Sequence, residues 1–176
     1  MAELTRGAER RVRLGTKLVP FDELIIDGEV VGAEIGKRRA NFPGTDTLAM
    51  NALPRVTEWL GQQLYDVVCA EGDRLTHIRF LDAAAAAGYR VNLFVLSGRM
   101  SVLDARCEAR GSSQNRSWRM SRGTMCSRVA AAAEEAGYHV VYLNAEEETR
   151  HLAGVVRELV PVMRQLQVRE RGVAWQ

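Results

Sequence analysis

Metal-ligand spacing is missing from this sequence. Its three cysteines, Cys69, Cys107 and Cys126, are far apart and form no C-x-x-C or mixed Cys/His pattern. An odd number of scattered thiols argues against a disulfide framework and a zinc site alike, and supports ordinary reduced cysteines. The three histidines, His77, His139 and His151, are equally isolated. No serine or cysteine stands in a nucleophile context such as G-x-S-x-G. Long hydrophobic runs are absent too: the Ala83–Ala87 stretch is five residues, far short of a membrane span. Arg6, Arg10, Arg11 and Arg13 interrupt any apolar segment near Met1 that could serve as a secretory signal. Internal repeats, low-complexity tracts and linkers are lacking as well. The expectation is one soluble, cytoplasmic domain over residues 1–176.

What is present is the composition of a folded globular chain: 176 residues, 47% hydrophobic and 26% charged. The net charge of +2 gives no general affinity for polyanions. Its distribution is more informative. Between Arg99 and Arg128 lie seven arginines against Asp104 and Glu108, a local excess of five positive charges.

Read along the chain, Met1 to about Val12 suggests a short helix that begins without an N-cap. Leu24–Ile26 and Val30–Ile35 read as strands joined by Asp27-Gly28-Glu29, and Asp-Gly between apolar runs is a strong hairpin signal. After a basic loop from Gly36 to Gly44, Thr45 or Asp46 is expected to cap a helix running to Leu64, with Pro54 as a kink. Asp66–Ala70 has the continuous apolar pattern of a strand buried on both faces. From there strands and helices alternate. Helices are expected at Thr76–Ala87, Ser101–Ala109, Arg119–Ala136 and Glu146–Gln167, and strands at Arg90–Leu96 and Tyr138–Leu143. That alternation predicts an α/β fold with a parallel sheet covered by helices on both faces, a three-layer arrangement.

In such folds ligands collect at the carboxyl ends of the strands. Three segments there carry chemistry. The turn Glu71-Gly72-Asp73-Arg74 places two carboxylates and a guanidinium together, a set able to hold a magnesium ion and a phosphate. An ordinary polar strand-to-helix turn would read the same way. The second segment runs from Arg106 through Arg110, Arg116 and Arg119 to Arg122 across a Gly/Ser/Asn-rich stretch. Arginines on a hinged segment suit phosphoryl transfer, which needs positive donors that close over the transferring group. A solvated basic helix face is the plainer alternative, and the near absence of lysine favours phosphate recognition. The third is Gly36–Asp46, where Arg39 could bind an anionic acceptor, Phe42 could stack on a base, and Asp46 could read or activate it.

Gly36–Met50, Ala70–Leu75 with Phe80–Ala83, and Arg106–Arg128 together resemble phage and actinobacterial P-loop kinases. These are related to nucleotide kinases and to phage kinases that phosphorylate hydroxymethyluracil in DNA. The resemblance covers roughly Gly28 to Leu143. It implies ATP and Mg2+ as cofactors and a nucleotide or nucleic-acid acceptor, with no membrane association. Glu71 and Asp73 become catalytic or magnesium-binding candidates, Arg116 and Arg119 catalytic lid residues over about 106–128, and Arg74, Arg110 and Arg122 phosphate contacts. Arg39, Phe42 and Asp46 fall on the acceptor side. Met125 and Cys126 depart from the pattern, standing beside Thr124 where a lysine is expected.

The larger departure is that no G-x-x-x-x-G-K-[ST] loop occurs. Gly32-x-x-x-Gly36-Lys37-Arg38 is the nearest approach, with the wrong spacing. In the family that loop precedes the helix expected here at Met1. Its strand lies between the segments corresponding to Asp66–Ala70 and Arg90–Leu96. The resemblance therefore implies an N-terminally truncated kinase with a β-hairpin insertion, inactive as it stands. It also implies that the two flanking strands either pair directly or leave unpaired edges. Two other readings compete: a non-catalytic module binding nucleic acid through the basic face 99–128, and a decayed gene product.

Overall fold

Asp27 and Gly28 both take positive φ, 53° and 84°, the backbone of a type I′ turn whose twist matches two antiparallel strands. The computed structural model, which describes residues 4–38, 48–109, 111 and 114–159, builds its first sheet around that turn. β2 (Pro20–Ile26) pairs antiparallel with β3 (Glu29–Ile35) on one side and with β1 (Glu9–Leu14) on the other. β3 then runs parallel to the short β4 (Val68–Cys69), giving the order β1-β2-β3-β4. A separate sheet holds β5 (Asn92–Ser97) parallel to β6 (His139–Asn144), in register over six residue pairs.

Among the described residues, five α-helices complete the mixed α/β fold: α1 (Leu53–Leu60), α2 (Ile78–Ala86), α3 (Met100–Ala109), α4 (Arg116–Glu135) and α5 (Thr149–Leu159). α1 buries Val56, Trp59 and Leu60, one face at i, i+3 and i+4. Trp59 meets Phe21 of β2 at 5.0 Å and stacks on Tyr65 at 6.0 Å, measured between ring centroids. α2 starts where His77 Nδ1 accepts the Arg79 amide at 3.1 Å, and it contributes Phe80 and Leu81 to the same core. α4 starts where Asn115 Oδ1 accepts the Trp118 amide at 2.8 Å. Its buried residues, Ala130 and Ala133, lie near its carboxyl end, so its amino-terminal half stands clear of the core. The Arg157 side chain on α5 donates to the backbone carbonyls of Leu4 and Arg6, tying the start of the described chain to that helix.

Several sequence expectations need correction. Residues 9–14 form a strand, not a helix, because pairing with β2 gives Arg10, Arg11 and Arg13 buried or half-buried carboxylate partners on that strand. The helix expected from Thr45 or Asp46 to Leu64 is confined, among the described residues, to Leu53–Leu60. Pro54 sits in its first turn, where a missing amide is harmless, and does not kink it. α4 begins at Arg116, three residues before the expected start, because Asn115 supplies the cap. The single parallel sheet is also wrong in detail. Three of the strands form an antiparallel meander, and the parallel pairs β3–β4 and β5–β6 belong to different sheets.

Between those sheets lies a cavity of about 780 Å3. Val67, Val68, Cys69 and Ala70 line one side and Val91, Leu93 and Phe94 the other, with Leu152, Val156 and Leu4 contributing from α5 and the chain start. β4 and β5 thus each keep one edge with no strand partner among the described residues. Of the two arrangements the sequence allowed, direct pairing of these strands is not the one adopted.

Candidate functional site at the carboxyl end of β4

Leaving β4, the chain passes Ala70 and Glu71 and reverses at Gly72, whose φ of 98° favours glycine. Gly72 O then accepts the Leu75 amide at 3.3 Å and the Thr76 hydroxyl at 3.0 Å, which closes the turn. Leu75 is buried in the main core and anchors it. Asp73 and Arg74 are thereby presented, half-buried, between the strand end and α2.

Two guanidinium groups converge on the Asp73 carboxylate. Arg74 Nη1 lies 3.1 Å from Oδ2, and Arg122 Nη1, reaching across from α4, lies 2.7 Å from Oδ1. Arg122 also sits over the Trp118 ring at 5.3 Å and donates to Met125 Sδ at 3.6 Å. The Nε atoms of both arginines are buried with no hydrogen-bond acceptor among the described residues. Burial, and then the Asp73 charge, raise the pKa of the Cys126 thiol beside this group. The arrangement provides a cationic pair with donor capacity to spare, bridged by one carboxylate, next to the cavity-lining residues Glu71, Gly72 and Leu75.

The other expected site residues divide. Glu71 lines the cavity with Gly72 and Thr76, and Arg106 and Thr149 line the same cavity. Arg119 is not drawn to Asp73: its Nε lies 2.9 Å from Asp104 and its Nη1 donates to Gln114 O at 2.6 Å. Arg116 is exposed at the first turn of α4. Arg39, Phe42, Asp46 and Arg110 lie outside the described residues. Among the described residues, no group of three or more histidine, cysteine, aspartate or glutamate side chains is placed to hold a metal ion.

Two sets of contacts were not foreseen from sequence. Arg106, the first arginine of the lid segment, lines the cavity and donates to Glu147 O at 3.0 Å, while Arg99 forms a forked pair with Glu146, Nη2 to Oε2 at 2.7 Å. The second is a buried ionic cluster at the hairpin. Glu34 is fully buried and Asp22 is 4% exposed. Arg10 bridges them, 3.0 Å from Asp22 and in contact with Glu34 and Thr5, while Arg38 donates to Thr5 at 3.1 Å. Carboxylates inside otherwise apolar strands, Phe-Asp-Glu-Leu-Ile-Ile and Val-Val-Gly-Ala-Glu-Ile, were the available signal.

A family model described as P-loop Nucleotide Kinase3 matches residues 1–154. No curated protein and no solved structure gives a significant match. Among the described residues no helix is long and apolar enough to cross a membrane.

Proposed function

The chain belongs to the P-loop Nucleotide Kinase3 family, and from that premise we propose that it serves in phosphoryl transfer. The reaction moves the γ-phosphoryl group of ATP to a hydroxyl or phosphate of a nucleotide or nucleic-acid base. The observation that carries this reading is the convergence of Arg74 and Arg122 at the carboxyl end of β4, beside the cavity. Phosphoryl transfer is catalysed mainly by positioning and charge stabilisation, and paired arginines supply both. Arg116 and Arg119 belong to the lid, and Arg39, Phe42 and Asp46 to the acceptor side. The described residues offer no closed carboxylate cage. Mg2+ would therefore be held chiefly by phosphate oxygens and water, with Glu71 as its protein ligand, and would neutralise charge on the phosphates. The resemblance to kinases acting on a modified base in DNA is the reason a nucleic-acid acceptor stands beside a free nucleotide.

These 176 residues contain no G-x-x-x-x-G-K-[ST] run. The cavity supports the reading that a further strand completes the sheet between β4 and β5. Its carboxyl end would bring a phosphate-cradling loop beside Glu71–Arg74 and Arg106. The test compares the 176-residue chain with a version carrying an N-terminal strand and a G-x-x-x-x-G-K-[ST] loop. ATP binding and phosphoryl transfer are measured on nucleoside monophosphates and on single-stranded DNA containing hydroxymethyluracil. Transfer is expected from the extended protein alone; an extended protein that folds more stably yet binds no ATP would refute the proposal. Arg99, Arg106, Arg119 and Arg122 are all engaged in internal contacts, which weakens the alternative of a nucleic-acid module using the basic face 99–128.

A further inference from the structure

We propose that the Asp73 carboxylate is an internal occupant of a phosphate subsite formed by Arg74 and Arg122, a latch that an incoming phosphoryl group displaces. The inference rests on the phosphoryl-transfer reading for the chemistry of its ligand, and on the geometry around Asp73 for everything else.

Asp73 binds both guanidinium groups through different oxygens, Oδ2 to Arg74 and Oδ1 to Arg122. That is the bridging arrangement a phosphate takes between two arginines. One carboxylate cannot saturate them. The Nε donors of Arg74 and Arg122 remain buried without an acceptor among the described residues, and the one Asp73 carboxylate is shared between both guanidinium groups. A phosphoryl group brings more acceptor oxygens and more charge than a carboxylate. It would therefore satisfy donors that Asp73 leaves open.

The contact also has a mechanical role. The part of α4 that carries Arg122 contributes no buried residue before Ala130. The Arg122–Asp73 pair spans 49 positions of sequence and ties that half of the helix to the strand-end turn. With Asp73 in place the lid helix is held down and the subsite is filled. When a phosphoryl group takes the arginines, Asp73 is released to the cavity side of the turn, where Glu71 already lies. Asp73 is thus a competitor of the phosphate in the resting protein, a role distinct from that of a magnesium ligand or base.

The discriminating experiment titrates inorganic pyrophosphate, without magnesium, into the 176-residue chain and into Asp73→Asn and Arg122→Gln. Hydrogen exchange of residues 116–127 is followed in parallel. If Asp73 competes for the arginines, Asp73→Asn binds pyrophosphate about tenfold more tightly, the order expected on removing a partly buried like charge from the subsite. Exchange in 116–127 should be faster in the free variant and slow again when pyrophosphate is added. Arg122→Gln should lose binding. Equal or weaker binding by Asp73→Asn would overturn the latch. The unsubstituted chain gives a readout that does not depend on a variant folding. The Arg122 Nε–H resonance should shift downfield with pyrophosphate, and a resonance that does not move also overturns the proposal. This outcome is separable from the kinase reading: tighter pyrophosphate binding with no ATP turnover in the extended protein sinks only the latter, and turnover without tighter binding sinks only the latch.

Discussion

Replacing Arg10 by methionine should be among the most damaging single substitutions on the surface of this fold. The side chain of Arg10 is 17% exposed, but the carboxylates it joins are almost wholly enclosed, Asp22 at 5% and Glu34 at 0%. At 3.0 Å from Asp22, the gross attraction is about 5 kcal/mol at an effective dielectric of about 20. Most of that offsets desolvation when the pair is intact. Removing the cation alone leaves two enclosed charges uncompensated, a change that typically costs about 3–5 kcal/mol. Arg38, already at Thr5, can relieve part of this, which places the expected loss near 3 kcal/mol, the lower end of that range. Against a typical total of about 5–15 kcal/mol, urea unfolding at neutral pH followed by circular dichroism will register it clearly. The same experiment contains its control. Glu34→Gln in the Arg10→Met background should recover about 1–2 kcal/mol, because it removes one of the stranded charges. A loss below about 1 kcal/mol for Arg10→Met, or no recovery in the double variant, would refute the view that the hairpin is organised around this cluster.

Two further outcomes follow from the geometry. Tyr65 has its hydroxyl pKa pushed up to about 12, by burial first and then by the hydrogen bond it donates to Glu23 at 2.9 Å. A folded-state value above the unfolded one means that the stabilisation is complete below pH about 10 and fades as pH rises through about 12. Alkaline unfolding monitored by tyrosinate absorbance should therefore show Tyr65→Phe less sensitive to pH in that window than the parent. At the candidate site, Gly72→Ala must adopt φ near 98°, at a cost of about 1 kcal/mol or more. It should weaken pyrophosphate binding by displacing the Arg74 guanidinium from Arg122, and unchanged binding would show that the turn does not position Arg74.

Legibility from sequence followed the range of the interactions involved. The hairpin could be read because two adjacent residues, Asp27 and Gly28, determine its turn. α2, β5 and β6 could be read because their patterns are local and their ends carry His77, Gly88 or Gly137. β1 was misread as a helix because its three arginines answer to Asp22, Glu23 and Glu34, ten or more positions away. Nothing within residues 9–14 announces those partners. The Glu71–Arg74 turn was singled out by its place after an apolar strand, and Arg122 by its arginine-rich neighbourhood. Their meeting at Asp73 depends on how α4 lies across the fold, which no spacing rule reports.

The way α4 is fixed has a consequence of scale. Its fully buried residues, Ala130 and Ala133, lie near one end, where the partly buried Val129 packs beside them against the main core. A helix so mounted behaves as a cantilever. From Ala133 to Arg122 the lever is roughly 16 Å, and to Arg116 roughly 25 Å, at 1.5 Å of rise per residue. A tilt of about 10° at the base would then carry Arg122 by about 3 Å and Arg116 by about 4 Å. A swing that barely disturbs the base is therefore enough to break one hydrogen bond and present a different row of guanidinium groups.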